Sequence, residues 1–154
     1  CWVFFAFTTL GVQVVHGRSV AVSRAVSPQT PVSTAEFLHS EESLPDGVAF
    51  CAAEWAGFLQ QFGPTAFRPM VNLHVHVIPE EIWNHYQRLS AGHSDWEGLM
   101  ELYGINLAVT DKSRHERLIR DLRKHEDWVP LYEDAQTVIF ERERPVHAVP
   151  GADE

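Results

Sequence analysis

Tyr103-Gly104-Ile105-Asn106-Leu107-Ala108-Val109 is the stretch on which the fold turns. Ile105 to Val109 is a short, mostly apolar run of strand length. Gly104 just before it suits the left-handed position that closes a preceding helix. That helix is predicted over Asp95 to Tyr103, with Trp96, Leu99 and Met100 facing inward. Downstream, residues 112–124 are charged and amphipathic, with Leu118, Ile119 and Leu122 as the apolar stripe. Trp128 to Tyr132 and Thr137 to Phe140 then read as two strands joined by Glu133-Asp134-Ala135-Gln136, a hairpin.

Working outward toward the N-terminus, Pro69 to Ile78 shows period-two alternation. Val71, Leu73, Val75 and Val77 share one face, and Asn72, His74, His76 and Ile78 the other. A strand is predicted there. Pro79-Glu80-Glu81 opens a helix with proline in the first turn and acids near the positive end of its dipole, and Ile82, Trp83, Tyr86 and Leu89 on its inner face. Earlier still, Ser33-Thr34-Ala35-Glu36 has the form of a capping box before Phe37 and Leu38. Pro45-Asp46-Gly47 is a turn, Val48-Ala49-Phe50 a short strand, and Glu54 to Phe62 a helix stopped by Gly63-Pro64. Strands separated by helices predict an α/β class: a small sandwich of a mixed sheet with flanking helices and a C-terminal hairpin at one edge. No internal repeat is evident.

Cys1 to Val15 carries no charge, and at ~1.5 Å per residue it covers about 22 Å of a hydrocarbon layer near 30 Å. We read residues 1–17 as the end of a transmembrane helix whose remainder lies upstream, 18–32 as a Ser-, Val- and Pro-containing linker, 33–143 as the α/β domain and 144–154 as a disordered tail. A leftover signal-peptide core and a buried helix are the alternatives for the apolar run. The expected partners are the membrane, through that run, and the missing upstream spans. Arg18 and Arg24 flank the run, as on a cytoplasmic side. The chain has 12 Lys+Arg against 21 Asp+Glu, and its basic residues before position 33 are Arg18 and Arg24. The domain is therefore strongly acidic, which disfavours nucleic acid as a partner. Cys1 and Cys51 have neither disulfide nor metal spacing.

Asn72-Leu73-His74-Val75-His76-Val77-Ile78-Pro79 carries the sharpest local signal. It resembles the signature of the histidine-triad nucleotide hydrolases and transferases. That resemblance implies that His74 attacks a phosphate and that His76 is the third histidine; Asn72 stands where the first belongs. Alternating histidines on one strand face can share phosphate contacts and proton transfer. The same pair could instead begin a metal site completed by Glu80, Glu81, His85 or His93. A polar strand face without ligand is the third reading. Glu54 and the Glu80-Glu81 pair are candidate acid/base groups, more simply explained as partners of a helix dipole. Trp55, Trp83, Trp96, Trp128, Tyr86 and Tyr103 could stack on sugars, but their spacing is that of core faces. No cofactor is expected.

A longer pattern orders several of these segments: Ala35-Glu36-Phe37-Leu38, Gly47-Val48-Ala49-Phe50, Trp55-Ala56-Gly57-Phe58-Leu59, and Pro79-Glu80-Glu81-Ile82-Trp83 with Tyr86. Then come Trp96 through Tyr103-Gly104-Ile105-Asn106, Trp128-Val129-Pro130-Leu131-Tyr132-Glu133-Asp134 and Val138-Ile139-Phe140-Glu141-Arg142. Residues 31–143 thus resemble the soluble C-terminal domain that follows the last span of multi-span bacterial membrane proteins similar to lipid-linked-sugar glycosyltransferases. In those, the third segment reads Trp-Gly-Gly-Tyr-Leu, so Ala56 and Phe58 depart from it, and Asn72-Leu73-His74 stands where Asp-Gly-Arg is usual. The resemblance implies a non-catalytic accessory domain on the extracytoplasmic face, with any catalysis in the membrane part.

Overall fold

In this computed structural model, residues 27, 29–41, 44–72 and 77–143 are described. The elements run α1 (Val32–Ser40), β1 (Val48–Cys51), α2 (Ala53–Phe62), α3 (Glu80–Ser90), α4 (Trp96–Leu102), β2 (Ile105–Asp111), α5 (Glu116–Leu122), β3 (Trp128–Glu133) and β4 (Thr137–Arg142). The strands form one mixed sheet in the order β1-β2-β4-β3. β1 and β2 are parallel, whereas β4 is antiparallel to both β2 and β3. This is the α/β class expected, with the C-terminal hairpin at one edge.

Side chains alternate across the sheet into two apolar layers. Phe50, Ile105, Ala108, Val138 and Phe140 meet α3, α4 and α5 through Tyr86, Leu89, Met100, Leu118 and Leu122. Ala49, Cys51, Leu107, Val109 and Ile139 meet α1 and α2 through Leu38, Trp55, Ala56 and Leu59. A strand covered on both faces has no solvent side to hold polar residues, which is why β2 reads as an apolar run rather than an alternation. At the free edge, β3 is mostly exposed, and Pro130 sits beside a register shift that interrupts the ladder. Proline and irregularity there blunt an edge that would otherwise pair with another chain.

The helix closures follow local chemistry. Gly104 has φ +61°, which places it in the left-handed region at the end of α4, as its position after Tyr103 predicts. α3 begins at Glu80 directly after Pro79, with Glu80 and Glu81 in its first turn.

Three expectations are corrected. The capping box does not form: α1 begins at Val32 after Pro31, its start has no side-chain cap, and Ser33 lies inside the helix. The Thr34 hydroxyl instead donates to Thr137 Oγ1 at 2.9 Å, so contact with β4 sets the placement of the helix. Residues 112–124 are not one helix either. Lys112 to Arg114 form a turn, and α5 starts only at Glu116. The described ends of 69–78 do not form a strand. Met70 N–H donates to Ala49 O, Ala49 N–H donates to Arg68 O, and Pro69 makes an isolated parallel bridge to Ala49. Val71 and Asn72, which follow, make no β-bridge, although β1 continues to Cys51. Val71 is buried as predicted, but Val77 is 79% exposed, so the alternation does not hold its phase. The apolar run Cys1–Val15 lies outside the described residues, among which no helix is long and apolar enough to cross a membrane.

Gly57 and Gly98 lie in α2 and α4, and a Cβ added at either meets nothing within 4 Å. We expect Gly57→Ala and Gly98→Ala each to raise unfolding free energy by about 0.5–1 kcal/mol, by restricting the unfolded chain. Gly104→Ala should lower it by about 1 kcal/mol or more, because alanine resists positive φ. Urea denaturation followed by circular dichroism measures all three.

Candidate functional site

β1 and β2 run in the same direction, so Cys51 and Asp111 end at the same edge of the sheet. The chain leaves these neighbouring strands toward opposite faces. After β1 it enters α2, whose Trp55, Ala56 and Leu59 pack in the layer with α1. After β2 it enters α5, whose Leu118, Ile119 and Leu122 pack in the other layer. Adjacent parallel strands whose following helices diverge leave a crevice at their carboxyl ends, the usual ligand position in open α/β sheets.

A cleft of about 880 Å³ lies at this place. Its walls are the start of α2 (Glu54, Trp55, Phe58), the β2–α5 turn (Asp111 to Arg114), the hairpin turn (Ala135, Gln136) and the segment around Gln29 to Pro31. Gln136 ties two walls together by donating from Nε2 to Gln29 O at 2.7 Å. The guanidinium of Arg114 pairs with the Glu54 carboxylate. Both residues also line a smaller hollow of about 380 Å³, with Trp83, Tyr86, Gln87 and Ser90. The pair is therefore a partition between two depressions. Its hydrogen bond and charge raise the Arg114 pKa further.

Behind the partition is a buried polar chain. Asp111 Oδ1 accepts from both Ser113 N–H and Ser113 Oγ–H at 2.7 Å, which bends the backbone out of β2. The Asp111 N–H donates to His115 Nδ1 at 3.0 Å. Nδ1 is thus an acceptor, so in the neutral ring Nε2 carries the hydrogen and donates it to Ser90 Oγ at 2.9 Å. Ser90 also bonds Tyr86, whose phenol oxygen accepts from Ala53 N–H at 2.9 Å. Burial holds His115 down at about 4, against an ordinary value of 6.5, although Asp111 opposes the shift. Burial pushes Tyr86 up to about 12 and raises the Cys51 thiol. The imidazole, phenol and thiol are accordingly all neutral near pH 7.

Of the residues singled out in the sequence, Glu54 and Trp55 line the crevice, Trp55 mainly as core. Glu80 and Glu81 lie in the first turn of α3 and are absent from both hollows. His85 Nδ1 is 2.8 Å from Tyr103 Oη, and His93 is exposed in the turn after α3. His74 and His76 lie outside the described residues. Among the described residues no group of three His, Cys, Asp or Glu could hold a metal ion. Trp96, Trp128, Tyr86 and Tyr103 are core residues, while Trp83 is half-buried and stacks on Tyr86 at 5.3 Å.

Sequence reasoning passed over Asp111, Arg114 and His115, having placed residues 112–124 in one solvated helix. The available signal was Asp111-Lys112-Ser113 directly after an apolar strand, a spacing at which an Asp side chain captures the second following N–H. Nothing local could announce the Glu54–Arg114 pair, which joins residues from different elements. Comparison with protein-family models, curated proteins and solved structures gives no match to this chain.

The depressed pKa of His115 makes stability depend on pH with a definite sign. Between pH 6.5 and 4 the unfolded chain binds the proton and the folded one does not. The contribution is full above 6.5 and is lost as pH falls toward 4, by about 3 kcal/mol. Urea unfolding across that range should show the loss, and His115→Asn should flatten the slope. An unchanged slope in the variant would remove His115 as its source.

Proposed function

We propose that this chain is the non-catalytic accessory C-terminal domain of a polytopic, glycosyltransferase-like membrane protein. It is joined through Cys1–Val15 to the membrane part of the same polypeptide, and sits on the extracytoplasmic face. The ordered segments from Ala35 to Arg142 support the likeness: each falls in or beside a helix or strand whose apolar residues build the two core layers. One observation carries the accessory role. At the edge of the sheet where an α/β domain usually holds its reacting groups, the described side chains are engaged with one another. Both nitrogens of His115 are hydrogen-bonded, Asp111 holds Ser113, and Glu54 holds Arg114. A general base needs a free lone pair near the operating pH, and a nucleophile needs activation. His115 near 4 and Tyr86 near 12 supply neither.

The test is a pair of activity assays. The purified chain should turn over neither nucleotides nor lipid-linked sugar donors, whereas the complete gene product should transfer sugar and keep its membrane-bound activity apart from this domain. Nucleotide hydrolysis by the chain, abolished in His74→Ala, would overturn the reading in favour of the histidine-triad alternative.

A further inference from the structure

We propose that the crevice at the carboxyl ends of β1 and β2 is a binding site for a neutral polyhydroxylated ligand, a carbohydrate, held between the Glu54–Arg114 pair and Gln136. The argument begins from charge. Among the described wall residues there are two carboxylates, Glu54 and Asp111, and two cations, Lys112 and Arg114. Each is already matched. Arg114 is held by Glu54, with Asp111 Oδ2 3.7 Å from its Nε. Lys112 Nζ lies 2.7 Å from Glu133 and donates to Asp134 O at 2.5 Å. Asp111 is occupied by the two donors of Ser113.

An anion entering this crevice would find its cations neutralised, and would approach a chain with net charge −9. A cation would find the carboxylates already engaged, Glu54 by Arg114 and Asp111 by Ser113. An apolar ligand would strip water from four charged groups without replacing their hydrogen bonds. What remains is a neutral ligand that both donates and accepts at close intervals. The walls offer that alternation: a carboxylate acceptor at Glu54, a guanidinium donor fork at Arg114, and an amide with both functions at Gln136. Phe58, half-buried beside them, supplies an apolar ring against which the C–H face of a sugar can lie. The side chains of Glu54 and Arg114 are 48% and 55% exposed, so they already exchange partners with water and can turn to hydroxyls at little cost. The volume of about 880 Å³ lies within the range of small-molecule sites.

This inference rests on the crevice and not on the accessory assignment, so the two fail separately. The experiment is a nitrogen-15 chemical-shift titration of the whole chain. The probes are methyl glucoside, methyl mannoside, methyl galactoside and the disaccharides maltose and cellobiose, with glucose 6-phosphate and glucosamine as charged counterparts. We expect at least one neutral probe to move the amides of Glu54, Ser113, Arg114 and Gln136 together, with little dependence on ionic strength. Glu54→Gln and Arg114→Gln should each weaken that binding by about fivefold, the net loss of one ordinary hydrogen bond at a solvent-exposed site. Circular dichroism would confirm that both surface variants stay folded. No crevice shift with any neutral glycoside, or larger shifts with a charged counterpart than with every neutral one, would overturn the proposal.

Discussion

The central strand β2 is buried at all seven of its positions, and a strand so placed can carry a polar side chain only where a partner is waiting for it. Three of its residues are polar, and each dictates something beyond itself. Asn106 donates from Nδ2 to Asp46 O at 2.8 Å, fixing the turn that leads into β1. Thr110 Oγ1 donates to Val138 O at 2.7 Å, binding the strand to its antiparallel neighbour. Asp111 captures Ser113 and starts the turn into α5. An unsatisfied buried polar group costs about 1–3 kcal/mol, so each contact constrains where the chain can go next.

The crevice follows from that constraint. Because Asp111 bends the chain at the end of β2, His115 comes back beneath the strand and accepts from the Asp111 amide. The ring then reaches Ser90 at the end of α3 and lies edge-on to Phe50, 5.1 Å between centroids. One imidazole thus touches β1, β2 and α3, which is why its neutrality matters to the fold. The same bend sends α5 to the face opposite α2. The walls of the crevice and the stability of the central strand therefore depend on the same few hydrogen bonds.

The legibility of the sequence tracked how many partners each segment has. β2 and β4 were readable because they are buried on both faces, and the ends of β2 and of the hairpin are marked by Gly104 and by Glu133-Asp134-Ala135-Gln136. α2, α3 and α4 were readable from helical spacing, since one stripe of each meets one layer. The described ends of Pro69 to Ile78 depart from the expectation because alternation records which side chains could face inward, whereas strand formation also needs a neighbouring backbone to pair with. β1 offers that neighbour only around Ala49. The start of α1 misled for a related reason: a local capping pattern at Ser33 was overridden by the hydrogen bond between Thr34 and Thr137, 103 residues away. The candidate site was hidden in the same manner, since the partners Glu54 and Arg114 lie 60 residues apart and only the topology brings them together.

A second buried polar cluster shows why topology, rather than composition, separates the crevice from ordinary structure. Arg142 on β4 is 4% exposed, donates from Nη2 to Glu101 Oε1 at 2.9 Å, and lies 5.9 Å over the ring of Trp128. Its Nε and Nη1 have no hydrogen-bond partner among the described residues, and those atoms are shut away from solvent. An arginine short of partners is the sort of group that could recognise an anion, yet no ligand can reach it. Arg142 is the last residue of β4, at the end of the sheet away from the hairpin turn, where its register partner is the buried Trp128. Its guanidinium instead fastens the hairpin to α4 through Glu101. At Asp111 the neighbouring strands are parallel, and the helices that directly follow them, α2 and α5, take opposite faces. Charged residues are thus shut away at one end of the sheet, where Arg142 is 4% exposed, and reach solvent at the other, where Glu54 and Arg114 pair.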